Sequence, residues 1–445
     1  MRYLSRGDFR AKFRAIEPSI SANRRRRFVR FVQAAGAGTL FDRPNYVSTW
    51  KAHTKTQPAM FDRLQGSYAD VEFELDAIRS RFTGGGGGSG DTCYLWLGGD
   101  GLSIDRMQHL IAQQSPKYLH SKPAVLPVLG LSPHGEYHVF HAGYRNYRGF
   151  VRVCATHLNN KQLVDDPLVS EYNPARFGIE IVMRAASEYL FDLCKTAGAE
   201  SIDATDAFLA ACERNVDMAW LVHFLYDFAY LWWDFKQAVR SNESKHLDML
   251  WAEFVPLGRT TSANKTHYGV MAVMQVYYAC ALHPQLLHIY HGMRTLYTGG
   301  APGTNTGWDM LPERVNLALK EDVTCQITRD LIQRRLQNHD LLKMTDAGLD
   351  AIVYESRSAA RAKMKQMDAD VALLRGLFVA KVGATWAAAT RRNTESDLGI
   401  DSRLALPWEA VRKAHTTGPG GGEESVDQYV TRVVTRLAPW QLWRA

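Results

Sequence analysis

The strongest constraint in this chain is a short apolar run that stops at a glycine cluster and is followed by a helical pattern and a second apolar run. Cys93-Tyr94-Leu95-Trp96-Leu97 is rich in strand formers and ends at Gly98-Gly99-Asp100-Gly101. Ser103 stands where an N-cap is needed, and Ile104, Met107, Leu110 and Ile111 mark one face of a helix. Residues 124–131 (AVLPVLGL) are again continuously apolar. Strands that are apolar throughout, on either side of a helix, specify a parallel βαβ unit buried on both faces.

The rest of the chain reads as helix. Its 445 residues are too many for one simple core and suggest two or three structural units. Residues 1–35 form a basic helical segment. An α/β core is expected over 36–144, a helical block over 145–300, a helical return over 301–392, and a partly loose tail over 393–445. The block 145–300 contains dense aromatic faces such as LVHFLYDFAYLWWDF. The GGGGGSG run at 84–90 reads as a linker or surface loop. It is not a phosphate loop, because no Lys-Ser or Lys-Thr follows it.

Lys and Arg number 53 against 46 Asp and Glu, a net charge of +7 that favours anionic partners such as nucleic acid or simply marks a solvated surface. The six cysteines fit neither a disulfide framework nor a zinc ribbon, so free, mostly buried thiols are expected. No apolar run reaches the roughly 18 residues of a membrane span, and the N-terminus lacks an apolar signal core. The chain is therefore expected inside the cell and not in a membrane. Arg24-Arg25-Arg26-Arg27 is a candidate nuclear import signal or phosphate-binding patch, or a solvated helix face.

Three places carry candidate chemistry. Asp100 directly follows a buried strand, where open α/β sheets gather functional groups; its glycine neighbours also suit a turn Asp. Glu136 follows the second strand in the same way. His134, His138 and His141 cluster beside it, as zinc ligands or as hydrogen-bonding and phosphate-contacting groups. Finally, Asp309 caps a helix with Pro312 in its first turn. Glu313, Asn316 and Lys320 then share one stripe, as a site or as an amphipathic surface. Converging carboxylates can hold two Mg²⁺ or Mn²⁺ ions for phosphoryl transfer.

The order and spacing of Gly99-Asp100-Gly101-Leu102-Ser103, Pro133-His134-Gly135-Glu136-Tyr137-His138, Asn264 to Tyr268, and Trp308-Asp309 to Glu313 with Asn316 resemble a transposase-derived domain family of eukaryotic mobile elements. That family is related to the Kyakuja–Dileera–Zisupton cut-and-paste transposases, and the resemblance spans roughly residues 40 to 340. It implies an α/β fold with a large all-helical insertion: a ribonuclease-H-like (RNase H-like) core plus a helical domain. It also implies an Asp-Asp-Glu triad that binds Mg²⁺ or Mn²⁺. Asp100 matches the second acid and Glu313 the third. Asp42 is the candidate for the first, with Glu136 as the alternative. Phosphate contacts fall to His138, Lys320, Arg314 and Asn316.

The implied activity is metal-dependent cleavage and strand transfer on DNA in the nucleus, by a possible homo-oligomer. The alternative is an inactive, domesticated descendant that binds DNA or protein. A third reading is a helical scaffold whose acids are caps and surface charges.

Overall fold

A computed structural model of the protein describes residues 6–42, 67–83, 94–99, 101–118, 124–129, 134–160, 172–197, 205–260, 267–282, 284–296, 305–307, 357–404, 406–416, 428–430 and 433. Helix dominates. In chain order the elements are α1 (Arg6–Gly36), α2 (Tyr68–Thr83), β1 (Tyr94–Gly99), α3 (Gly101–Gln113), α4 (Ser115–Tyr118), β2 (Ala124–Leu129), α5 (His134–His157), α6 (Tyr172–Ala197), α7 (Thr205–Cys212) and α8 (Val216–His223). A π turn (Phe224–Ala229) links α8 to α9 (Tyr230–Ser241). Then come α10 (Ser244–Arg259), α11 (His267–Ala281), α12 (Pro284–Met293), β3 (Thr295–Leu296), β4 (Thr306–Gly307), α13 (Arg357–Lys381), α14 (Trp386–Ala389) and α15 (Pro407–Thr416). No described helix is long and apolar enough to cross a membrane. Cys154, Cys194, Cys212 and Cys280 are free thiols, the first three buried.

β1 and β2 pair in parallel, from Tyr94 opposite Ala124 to Gly99 opposite Leu129. The helix α3 crosses between them and buries Ile104, Met107, Leu110 and Ile111. α2 is tied alongside: Lys117 Nζ donates to Glu72 at 3.0 Å and to Asp76 at 2.6 Å.

The expected α/β, RNase H-like core is corrected at this point. Among the described residues the sheets stop at two strands each, β1–β2 and the very short antiparallel pair β3–β4. The remainder is mostly helical. The α/β core is expected to begin at residue 36, with Asp42 as the candidate first acid. Instead, α1 ends in a Schellman cap: Thr39 N donates to Ala34 O, Gly38 N donates to Ala35 O, and Gly38 sits at φ 71°. A tight turn follows, in which Asp42 N donates to Thr39 O at 3.0 Å. Residues 37–42 are therefore cap and turn, and residues 43–66 lie outside the described residues. α5 also runs unbroken through position 145, where a boundary between core and insertion was expected.

The centre of the molecule is the continuous helical run from Val216 to Ser241. It is buried on nearly every side, including Trp220, Phe224, Phe228, Tyr230, Trp232 and Phe235, as befits a helix that is apolar all round. Asn215 caps its start, its side chain accepting from Asp217 N and Met218 N. Asn242, left-handed at φ 57°, ends it. α1, α5, α6 and α10 pack around this axis. Closest approach occurs at Gly143 of α5, where a Cβ would come within 1.8 Å of the Phe228 ring.

Within the tail expected to be partly loose, residues 396–398 are anchored. The buried carboxylate of Asp217 accepts from Asp397 N at 2.7 Å, from Leu398 N at 3.1 Å and from the Ser396 hydroxyl. Trp408 of α15 stacks on His223 with centroids 5.0 Å apart.

Two glycine substitutions separate packing from propensity. Gly143→Ala is expected to cost about 1–3 kcal/mol by overpacking against Phe228. Gly376→Ala, with open space around its added methyl, is expected to gain about 0.5–1 kcal/mol of helix stability. Urea unfolding of both variants checks the pair; equal effects would contradict this packing.

Candidate functional site

Of the residues singled out from sequence, Asp100, Glu313, Arg314, Asn316 and Lys320 lie outside the described residues. Asp42, Glu136 and His138 lie within them. Position 100 directly follows β1, and β1 pairs in parallel with β2, whose C-terminal end leads toward α5.

The segments carrying Asp42 and Glu136 both border α9. Trp233 Nε1 donates to Leu40 O at 3.0 Å, and the Phe41 ring meets the Trp233 ring edge-on at 4.9 Å. Gln237 Nε2 reaches Asp42 O at 3.5 Å, while the Asp42 side chain is exposed. At the start of α5, Gly135 lies against Phe235 and Trp251, so close that a Cβ there would meet both rings at 3.0–3.1 Å. Glu136 is next in sequence. On the other side, Asn305 N, beside β4, donates to Arg240 O at 3.2 Å. One short helical stretch therefore collects three segments that are far apart in sequence.

Lys236 lies in the middle of that stretch and is 4 % exposed. Its ammonium donates to Glu180 at 2.8 Å and lies over the Trp233 ring at 4.6 Å. Burial pulls its pKa below the usual lysine value, against the opposing charges of Glu180 and Glu136. The site thus offers a fixed, desolvated cation with acids beside it.

Oxygen donors such as Asp42 and Glu136 suit a hard divalent cation. Yet no group of three His, Cys, Asp or Glu among the described residues is arranged to hold a metal. The described residues alone do not build the expected Mg²⁺ or Mn²⁺ centre; it would need Asp100 and Glu313.

His138 is buried at 6 % exposure and stacks on Tyr268 with centroids 4.1 Å apart. His141 is buried as well, 3.4 Å from the Tyr268 hydroxyl. Their place is an aromatic cluster between α5 and α11, so His138 is not presented to a phosphate on the surface. The zinc alternative for this cluster likewise gains no third ligand among the described residues.

The arginine run is the larger correction. It was read as an import signal, a phosphate patch or a solvated face. Arg27 instead is 2 % exposed and forks onto Glu253, with Nη1 to Oε2 at 2.8 Å. Its Nη1 also lies 3.6 Å from Asp234. Arg24 pairs with Asp227 of the π turn, Arg30 with Asp234 at 2.7 Å, and Arg25 with Asp206 at 2.6 Å. The carboxylates are finished by other partners. Asp227 accepts from the Tyr147 hydroxyl at 2.7 Å and faces His223 Nδ1 at 3.1 Å; Asp234 faces His246 Nε2 at 2.8 Å. His223 Nε2 in turn faces Glu213 at 2.9 Å. Only the alternation of Arg24, Arg27 and Arg30 with Phe28 and Phe31 on one helix hinted at an inward-facing charge row.

These groups titrate away from their ordinary values. Burial alone would raise Asp234, but the His246 hydrogen bond and the charges of Arg27 and Arg30 hold it at about 2. Asp227 is depressed in the same manner, by His223 and Arg24. Burial alone would lower His223; its hydrogen bonds to Asp227 and Glu213 raise it instead.

No family model, no curated protein and no solved structure matches this chain.

The pKa directions set a pH profile. A depressed Asp contributes stability that is present above its unfolded value of 3.8 and lost as pH falls toward about 2. A raised His contributes stability present below 6.5 and lost as pH rises through its folded value. Thermal unfolding should therefore show greatest stability from about pH 4 to about pH 6.5, and His223→Gln should flatten the alkaline limb. Arg27→Ala, which strands buried Glu253, is expected to cost about 3–5 kcal/mol. Exposed Arg26→Ala should change stability by less than about 0.5 kcal/mol. Equal losses at the two positions would refute the buried network.

Proposed function

We propose that this chain is a divalent-metal-dependent DNA-processing protein of the transposase kind, cutting phosphodiester bonds and transferring strands. The observation that carries this reading is the convergence on α9. The segment ending at Asp42, the segment opening α5 at Glu136, and the segment through Asn305 that leads on to Glu313 all meet residues 233–240. Acids scattered over the chain need such a gathering element before they can act together. The parallel pairing of β1 with β2 supports the same reading for Asp100, which directly follows β1 in sequence as α5 follows β2. A surplus of seven positive charges favours a polyanionic substrate.

In this reading Asp100 and Glu313 would hold the metal together with Asp42 or Glu136. Metal ions bound there supply activation of the attacking oxygen and stabilisation of the leaving oxygen. Glu136 is the better-supported partner. It is half-buried and lies within the electrostatic reach of Lys236, whereas the Asp42 side chain is exposed. Lys236 acts as a positioning charge for that carboxylate. The second reading, a non-cleaving DNA- or protein-binding descendant, is favoured by the burial of His138, an expected phosphate contact, against Tyr268.

Nicking of supercoiled DNA with Mg²⁺ or Mn²⁺ tests the choice. The wild-type protein is expected to nick, and Asp100→Ala and Glu313→Ala to lose at least about a hundredfold in rate. Glu136→Ala is expected to lose as much, and Asp42→Ala little. Circular dichroism must show that each variant folds. A folded wild-type protein that nicks with neither metal would leave the binding-module reading standing.

A further inference from the structure

An open groove of about 960 Å³ runs between the outer face of α5, α13 and the loop carrying Leu398 to Leu404. Its wall is close to α5: a Cβ on Gly149 would come within 2.6 Å of the Leu404 side chain. The same wall is held to the central helix by the Asp217 hydrogen bonds to residues 396–398. The groove is thus preformed, which lowers the ordering cost of binding.

Its lining divides by polarity. The apolar residues are buried or half-buried, whereas the fully exposed lining positions are Arg148, Arg152, Thr156, His157, Gly399 and Asp401. A ligand in this groove therefore meets polar groups first. Asp401, the one acid among the lining residues, is engaged by Arg403, whose Nη2 donates to it at 2.8 Å. Arg148 and Arg152 form no ion pair among the described residues and stand one turn apart on α5, about 6 Å along the axis. Two uncompensated guanidiniums in line on a rigid helix suit a repeating row of phosphates. An acidic amphipathic peptide would also need exposed apolar side chains to seal against, and the lining offers none that is fully exposed.

We infer that this groove holds the phosphodiester backbone of a DNA strand, with Arg148 and Arg152 as its phosphate-contacting residues. The choice of DNA rests on the function proposed above, but none of the acids of that function lines the groove, which can be tested without them. The measurement is fluorescence anisotropy of a short labelled duplex, and of its single strands, bound by the full chain in EDTA over a salt series. Arg148→Ala/Arg152→Ala is expected to lower the slope of log affinity against log salt by about 1.8, two phosphates at about 0.9 each. Arg148→Glu/Arg152→Glu should weaken binding at least about tenfold. Arg391→Ala/Arg392→Ala removes the same charge from two exposed arginines outside the groove and should leave both readouts near wild type. Circular dichroism and thermal unfolding confirm that each variant is folded.

An unchanged slope in the Arg148/Arg152 variants, or an equal loss in the Arg391/Arg392 pair, overturns the inference. So does poly-L-glutamate binding that depends on Arg148 and Arg152 while DNA binding does not, since that assigns the groove to acidic protein segments. The two proposals fail separately. Groove-dependent DNA binding without metal-dependent nicking sinks only the cleavage reading. Nicking with groove-independent DNA binding sinks only the groove.

Discussion

Arg27 sits where water cannot reach it, and the helices around it are arranged to answer its charge. A buried guanidinium carries a desolvation penalty of several kcal/mol, offset only by well-placed anions. Glu253 of α10 supplies a two-pronged partner, with Asp234 close by. The π turn supplies Asp227 to Arg24. Three arginines of α1 thus face three carboxylates drawn from the central helix and α10, and His223, His246 and Tyr147 occupy remaining acceptor positions. Such a network adds less to raw stability than to uniqueness. Rotating α1 or sliding it by one turn would leave several charges buried without partners.

The central helix uses its two halves differently. Its N-terminal half and π turn hold charge through Asp217, His223 and Asp227. Its C-terminal half holds charge through Asp234 and Lys236 and, in addition, distant backbone through Trp233, Phe235 and Arg240. A π turn shifts the helix face by inserting one residue into the repeat, a device frequent near functional sites. Here it falls between the two halves.

Much of the local pattern could be read directly. The two apolar runs mark the strands Tyr94–Gly99 and Ala124–Leu129, and Ile104, Met107, Leu110 and Ile111 did turn inward, because a face that repeats every three or four residues has few alternatives. The sheet's extent was not readable: two apolar strands do not say how many more pair with them. The arginine run misled for a similar reason. Charge density in a sequence reports the desolvation to be overcome and says nothing of partners some 200 residues away. The clasp at Asp217 was equally hidden, since Ser396 and Leu398 look like ordinary loop residues until a buried carboxylate meets the Ser396 hydroxyl and the Leu398 amide. For the candidate site, Glu136 was visible as an acid after a strand, whereas Lys236 was concealed inside an aromatic helix.

The separation between Arg27 and Glu253 is 226 residues, and that distance has a temporal meaning. A ribosome adding about 5–20 residues per second needs about 10–45 s to cover it. For that interval α1 is outside the tunnel with its arginines facing water and its phenylalanines uncovered, while its partners are still being made. α1 thus emerges well before Glu253, the partner its buried guanidinium needs. Newly made chains therefore pass through a long-lived, cationic, partly apolar state, in which anionic surfaces and chaperones compete for the very residues that later anchor the core.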